Sequence, residues 1–222
     1  MELATRVPEP ELMDSAEQAR AYADADFSEP HEAFVIRFRE RFPDFAVGLV
    51  LDLGCGTADV TVRFARAYPQ ARVHGVDGAR AMLDEGERLV ERAGLSDRVA
   101  LEMKRLPDPS LGDVRYDAVV SNSLLHHLAD PAVLWTTIDA VAREDAPVFV
   151  MDLYRPTDTD AARRLVDTYA ADESRVLQDD FYHSLCAAYT ADEVQAQLAG
   201  TMLAGFQVQP IGDRHLIVWG RR

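Results

Sequence analysis

Apolar residues recur along this chain with two different periods, and the change between them marks its organisation. Residues 12–25 are rich in good helix formers. Phe34, Phe38 and Phe42 then recur at the spacing of one helix face, with charges between them. Two amphipathic helices are predicted, over 12–25 and 30–42. Pro30 suits a first turn and Pro43 stops the second helix. From Gly48 the period shortens: GLVLDL is a short apolar run closed by Gly54 and Gly56, as expected of a strand buried on both faces. Strands predicted over 71–77, 98–104, 116–122 and 146–154 alternate with helices over 59–68, 79–93 and 131–143. Such alternation implies right-handed crossovers and a mostly parallel sheet, an α/β fold.

The tail departs from this rhythm. Two or three helices are predicted across 159–178 and 190–198. Two apolar runs follow, at 205–211 and 214–220, joined through Gly212 and Asp213 at hairpin length, so they should pair antiparallel. The resulting organisation is a helical cap over 1–46 and a ligand-binding domain over 47–222, with a helical insertion at about 157–189.

Composition narrows the function classes. The chain has 222 residues, 48% of them apolar, which suffices for a large core without staples. Its two cysteines, Cys55 and Cys186, are far apart and lack metal-ligand spacing, so neither a disulfide framework nor a bound metal is expected. No apolar run reaches membrane-spanning length and residues 1–14 carry no signal-like apolar core, so a soluble cytoplasmic protein is expected. A net charge of −15 is the wrong sign for a nucleic-acid partner.

The chemistry should lie outside the carboxyl ends of the strands. There, VLDLGCGT places two glycines in a strand-to-helix turn, where missing side chains and unpaired helix N–H groups suit a ligand. Asp77 ends the next strand, about 20 positions further on, where an acid meets a ribose hydroxyl pair. The third glycine of the dinucleotide pattern is absent. Asp52, just before the glycines, would repel a pyrophosphate but attract an ammonium and a sulfonium, which favours S-adenosylmethionine over NAD.

These residues resemble the class I S-adenosylmethionine-dependent methyltransferases. The likeness runs from Val50 to Tyr154, through VLDLGCGTADVT, GVDGARAML and YDAVVSNSLLHHLADP. It implies a Rossmann-like, doubly wound seven-stranded sheet of order 3-2-1-4-5-7-6 with the last strand antiparallel. Position by position, it implies Asp52, Gly54, Cys55 and Gly56 around the methionine part, Asp77 with Gly78 at the ribose, Met82 near the adenine, and Ser121 and Asn122 beside the methyl group. The departures are Ala58, where a glycine is common, and Arg105 and Leu106, where an acid usually meets the adenine. Apolar contact and backbone groups would then hold that ring. The NPPY-like motif of DNA and protein-amide methylating relatives is replaced by SNSL, so a small-molecule acceptor is expected.

His126 and His127 follow the fourth strand and are candidate general bases. Tyr22, Arg155, Tyr182 and His183 are candidates for the acceptor pocket, and Phe34 and Phe38 for its cover. Thr190 with Glu193 reads as a helix cap. A monomer or homodimer is expected. The alternatives are a sensor or partner subunit that binds S-adenosylmethionine without catalysis, and a relative that uses it for other chemistry.

Overall fold

The computed structural model describes residues 5–9 and 12–222. Of the expected 1–46 cap, residues 1–4, 10 and 11 lie outside the described residues. Among the described residues, seven strands form one sheet: β1 (Val47–Leu53), β2 (Gln70–Asp77), β3 (Val99–Met103), β4 (Ala118–Asn122), β5 (Pro147–Leu153), β6 (Gln207–Ile211) and β7 (His215–Arg221). Their order is β3-β2-β1-β4-β5-β7-β6. β1 to β5 pair in parallel, whereas β7 runs antiparallel to both β5 and β6. This is the topology that the resemblance implied. Pro210 is tolerated because β6 is an edge strand.

Among the described residues, eight α-helices connect and flank the strands: α1 (Ala16–Asp24), α2 (Ser28–Arg41), α3 (Asp59–Ala67), α4 (Arg80–Arg92), α5 (Ala132–Val141), α6 (Thr159–Tyr169), α7 (Arg175–Ala187) and α8 (Ala191–Leu198). The strand period of two sends alternate residues to opposite faces. Val50, Val120 and Phe149 pack with α2 and α3 on one side; Leu51, Leu53 and Val150 pack with α5 and α8 on the other. β5 is buried along its whole length, as a central strand covered on both faces must be.

Phe34 and Phe38 belong to this core and not to a cover over the site. Both are fully buried, with Phe34 edge-on to Phe149 at 5.0 Å and Phe38 edge-on to Phe64 at 4.9 Å. They are apolar on the one face of α2 that meets the sheet, so burial against Phe149 outcompetes exposure at a rim.

The N-terminal segment is fixed from a distance. Ala79, at the start of α4, has no side chain to cap the helix, and Asp14 Oδ1 accepts the Ala81 N–H at 3.1 Å instead. α1 lies against α4 and α7, with Ala19 packed beside Ala79 and Met82. In the tail, Ser174 caps α7, which extends the helical region to Ala187, beyond the predicted 159–178. The cap at Thr190 and Glu193 forms in full as a reciprocal pair.

Candidate functional site

The carboxyl ends of β1, β2, β4 and β5 open into a cavity of about 390 Å³. Its floor at one end is the turn from β1 to α3. Gly54, Gly56 and Ala58 all have positive φ there, at 72°, 51° and 63°. A Cβ on Gly54 would strike Leu124, whereas one on Gly56 would meet nothing within 4 Å and would project into the open space. Gly54 therefore serves close packing, and Gly56 leaves bare main chain facing the cavity. Ala58 adopts the left-handed conformation with its methyl buried, and Gly86 in α4 makes room for it, since a Cβ on Gly86 would lie 3.2 Å from the Ala58 Cβ.

Two carboxylates flank this turn. Asp77 Oδ2 accepts the Gly56 N–H at 2.9 Å and Oδ1 accepts the Ala79 N–H at 2.8 Å, so the acid ties the turn to the head of α4. Asp52 is 1% exposed, and its Oδ2 accepts the Thr61 hydroxyl at 2.5 Å. Burial raises both acids, Asp52 to about 6, because the charged form loses its water; hydrogen bonds offset this only in part. Across from them, Met82, Leu106 and Leu12 supply apolar lining, with Arg105 beside Leu106.

The other end is built around a 3-10 turn, Leu125–His127, that follows β4. His126 is almost wholly buried. Its Nδ1 stands 2.5 Å from Asp152 Oδ1, at the end of β5, and the same acid accepts the Leu125 and Leu153 N–H groups. Burial opposes a charged imidazole, but the Asp152 carboxylate outweighs it and raises His126 above its ordinary value. His126 in turn outweighs burial and holds Asp152 low. Glu9 reaches this pair from the N-terminal segment, 3.5 Å from His126 Nε2 and 3.2 Å from His127 Nδ1, and accepts the Ser184 hydroxyl at 3.1 Å. Burial raises the Glu9 carboxyl, against the nearby His126 charge.

Residues 50–145 match a family model for the methyltransferase domain. Over those residues the chain is similar to methyltransferase domains. The chain is 30% identical over 113 residues to a demethylmenaquinone methyltransferase of Porphyromonas gingivalis, a match covering 50% of this chain and 46% of that protein. It thus spans less than half of that relative's length. Among solved structures, a SAM dependent methyltransferase from Aquifex aeolicus superposes with a TM-score of 0.69 at 16% identity, over 93% of this chain and 98% of the other. A plantazolicin methyltransferase in complex with a triazolic desmethylPZN analog and SAH gives a TM-score of 0.69 at 12% identity, over 93% and 91%. These two likenesses establish the fold.

The fold brings most of the sequence-derived residues to one cavity. Asp52, Gly54, Cys55, Gly56, Asp77, Gly78, Met82, Arg105, Leu106, Asn122, His126, His127 and Tyr22 all line it. Tyr22 lies flat on Phe27, with ring centroids 5.5 Å apart, and burial pushes its hydroxyl well up. Ser121 does not line the cavity: it is fully buried, donating to the Leu53 carbonyl at 2.8 Å, because a one-residue step along β4 turns it to the opposite face from Asn122.

Three acceptor candidates fall outside. Arg155 is a buried tie that donates to Glu193 at 2.7 Å and to the Ala188 carbonyl at 3.2 Å. Tyr182 packs between α6 and α7 under Arg163, and its neighbour His183 likewise does not line the cavity. Helical phase decides this: Phe181 and Ser184 on α7 face the cavity, and the residues between them do not. Sequence reasoning missed Glu9, Phe27, His31 and Asp152. The Phe27 and His31 spacing was a usable signal. Glu9 and Asp152 gave none, since only the fold brings them to His126.

Proposed function

We propose that this chain is an S-adenosylmethionine-dependent methyltransferase acting on a small-molecule acceptor. The observation that carries the reading is the open main chain at Gly56, set between two carboxylates whose charged forms are disfavoured by burial. A cationic ligand reverses that penalty, whereas a pyrophosphate would add to it. When bound, S-adenosylmethionine supplies a methyl group made electrophilic by its sulfonium. The acceptor's lone pair bonds to that carbon as the carbon–sulfur bond breaks, and S-adenosylhomocysteine and a proton leave.

The chain's residues have separable tasks in this reading. Asp52 draws in the amino group of the methionine part, and Asp77 has lone pairs left for the ribose hydroxyls beyond its two backbone hydrogen bonds. Met82 and Leu106 flank the adenine. Asn122, His126 and His127 stand at the acceptor end. Alignment is the main catalytic task, worth up to about 7–11 kcal/mol in ideal cases. Phe27 and Tyr22 line the cavity from the N-terminal side. The relative named demethylmenaquinone methyltransferase supports a small-molecule acceptor. No helix among the described residues is long and apolar enough to cross a membrane, and both cysteines are buried free thiols, which fits the cytoplasm.

The test is a thermal shift with S-adenosylhomocysteine, followed by mass spectrometry of a metabolite pool incubated with protein and S-adenosylmethionine. A raised Tm and a product heavier by one methylene unit are expected. Binding without any methylated product would favour the sensor, and no shift would remove the reading.

A further inference from the structure

We propose that Glu9, His126 and His127 form a binding site for one divalent transition-metal ion, such as zinc, manganese or iron(II). One donor atom from each lies within 4.8 Å of the others. Donors bound to one ion at about 2.1 Å stand about 3.0 Å apart in an octahedron and about 3.4 Å apart in a tetrahedron. The Glu9 oxygen is 3.2 Å from His127 Nδ1 and 3.5 Å from His126 Nε2, separations that match such edges.

Hydrogen bonding independently prepares His126 for this role. The Asp152 carboxylate can only accept, and it already takes the Leu125 and Leu153 N–H groups, so the His126 Nδ1 that meets it at 2.5 Å carries a hydrogen. The Nε2 lone pair of the neutral ring is thereby aimed at Glu9. An outer carboxylate that fixes the tautomer of a ligating histidine is the arrangement metal sites use. The Ser184 hydroxyl steadies Glu9 from α7.

Two imidazoles and one carboxylate leave coordination positions open, and both histidines line the cavity. The ligand class for those positions is an acceptor with oxygen donors, such as a hydroxyl beside a carbonyl or carboxylate. That choice of ligand rests on the proposed function; the ion site does not.

The probe is Co(II) alone, added to the full chain stripped of metal. One equivalent should bind with visible d–d absorption, be displaced by Zn(II), and shift the ring-proton signals of His126 and His127. Glu9→Gln and His127→Gln should each weaken Co(II) binding at least ~10-fold. No stoichiometric binding, or shifts at other histidines, would overturn the site and leave the cluster as an ion pair between Glu9 and the two rings. So would undiminished affinity in Glu9→Gln. The two proposals fail separately: loss of the ion site leaves the S-adenosylhomocysteine thermal shift of the metal-free protein in place, and absence of that shift leaves Co(II) binding in place.

Discussion

The two ends of the cavity are assembled differently. The end at β1 and β2 is made by two short stretches, Asp52 to Gly56 and Asp77 to Met82, each continuous with a strand and the helix that follows it. Its working surface is main chain at Gly56 and two acids. The end at β4 and β5 draws Glu9, the His126 and His127 pair, Asp152 and Ser184 from segments far apart in sequence, and long-range contacts of these side chains bring the functional groups together. A site built on local backbone geometry is readable in sequence; one built on long-range contacts between side chains is not.

Removing one partner from each end should break this contrast most sharply. Asp152→Ala strips a buried ion pair of its acid and leaves His126 and two N–H groups without it. A loss of about 3–5 kcal/mol in folding stability is expected, read by denaturant unfolding. At the local end, Asp77→Ala should act mainly on ligand: about 2–3 kcal/mol, or roughly 10²-fold, in affinity for S-adenosylhomocysteine by calorimetry, with a smaller change in Tm. If Asp77→Ala unfolds the protein while Asp152→Ala leaves it stable, the division of roles is reversed.

A finer probe of the local end is pH. Asp52 has its folded value raised to about 6, so its neutral form contributes stability fully at low pH, and that contribution fades as pH rises through about 6. A cationic ligand prefers the ionised form, so affinity should run the opposite way. Between pH 7 and pH 5 the affinity for S-adenosylhomocysteine is expected to fall ~10-fold, and Asp52→Asn should flatten that slope. A wild-type profile equally flat would detach Asp52 from the ligand. The smallest effect is expected at Tyr182→Phe, which lies off the cavity and should alter turnover and stability by no more than about 0.5 kcal/mol.

Much of the fold was legible because short apolar runs mark β1, β4 and β5 between helical stretches, and because Gly212 and Asp213 place the final hairpin. Two physical limits hid the rest. Burial competes with function for the same residue type, so Phe34 and Phe38 suited a cover as well as a core until Phe149 was found against them. Phase also matters: Ser121 and Asn122 differ by one step on a strand and Tyr182 and Ser184 by two on a helix, and in each pair only the second lines the cavity. Arg155 follows β5 as an acceptor-binding residue would, yet Glu193 claims it. The acids of the local end needed no such arbitration: each ends or nearly ends a strand beside the glycine turn, with Asp77 held by the Gly56 and Ala79 N–H groups and Asp52 by the Thr61 hydroxyl.

The central claim is that exposed main chain at the β1 turn, with an acid on either side, grips a positively charged sulfur donor. Calorimetric titration of the protein with S-adenosylmethionine tests this most directly. One equivalent bound in the wild type, with binding largely lost in Asp77→Ala, is the expected result; no binding heat at any of several temperatures, or equal affinity in the variant, would contradict it.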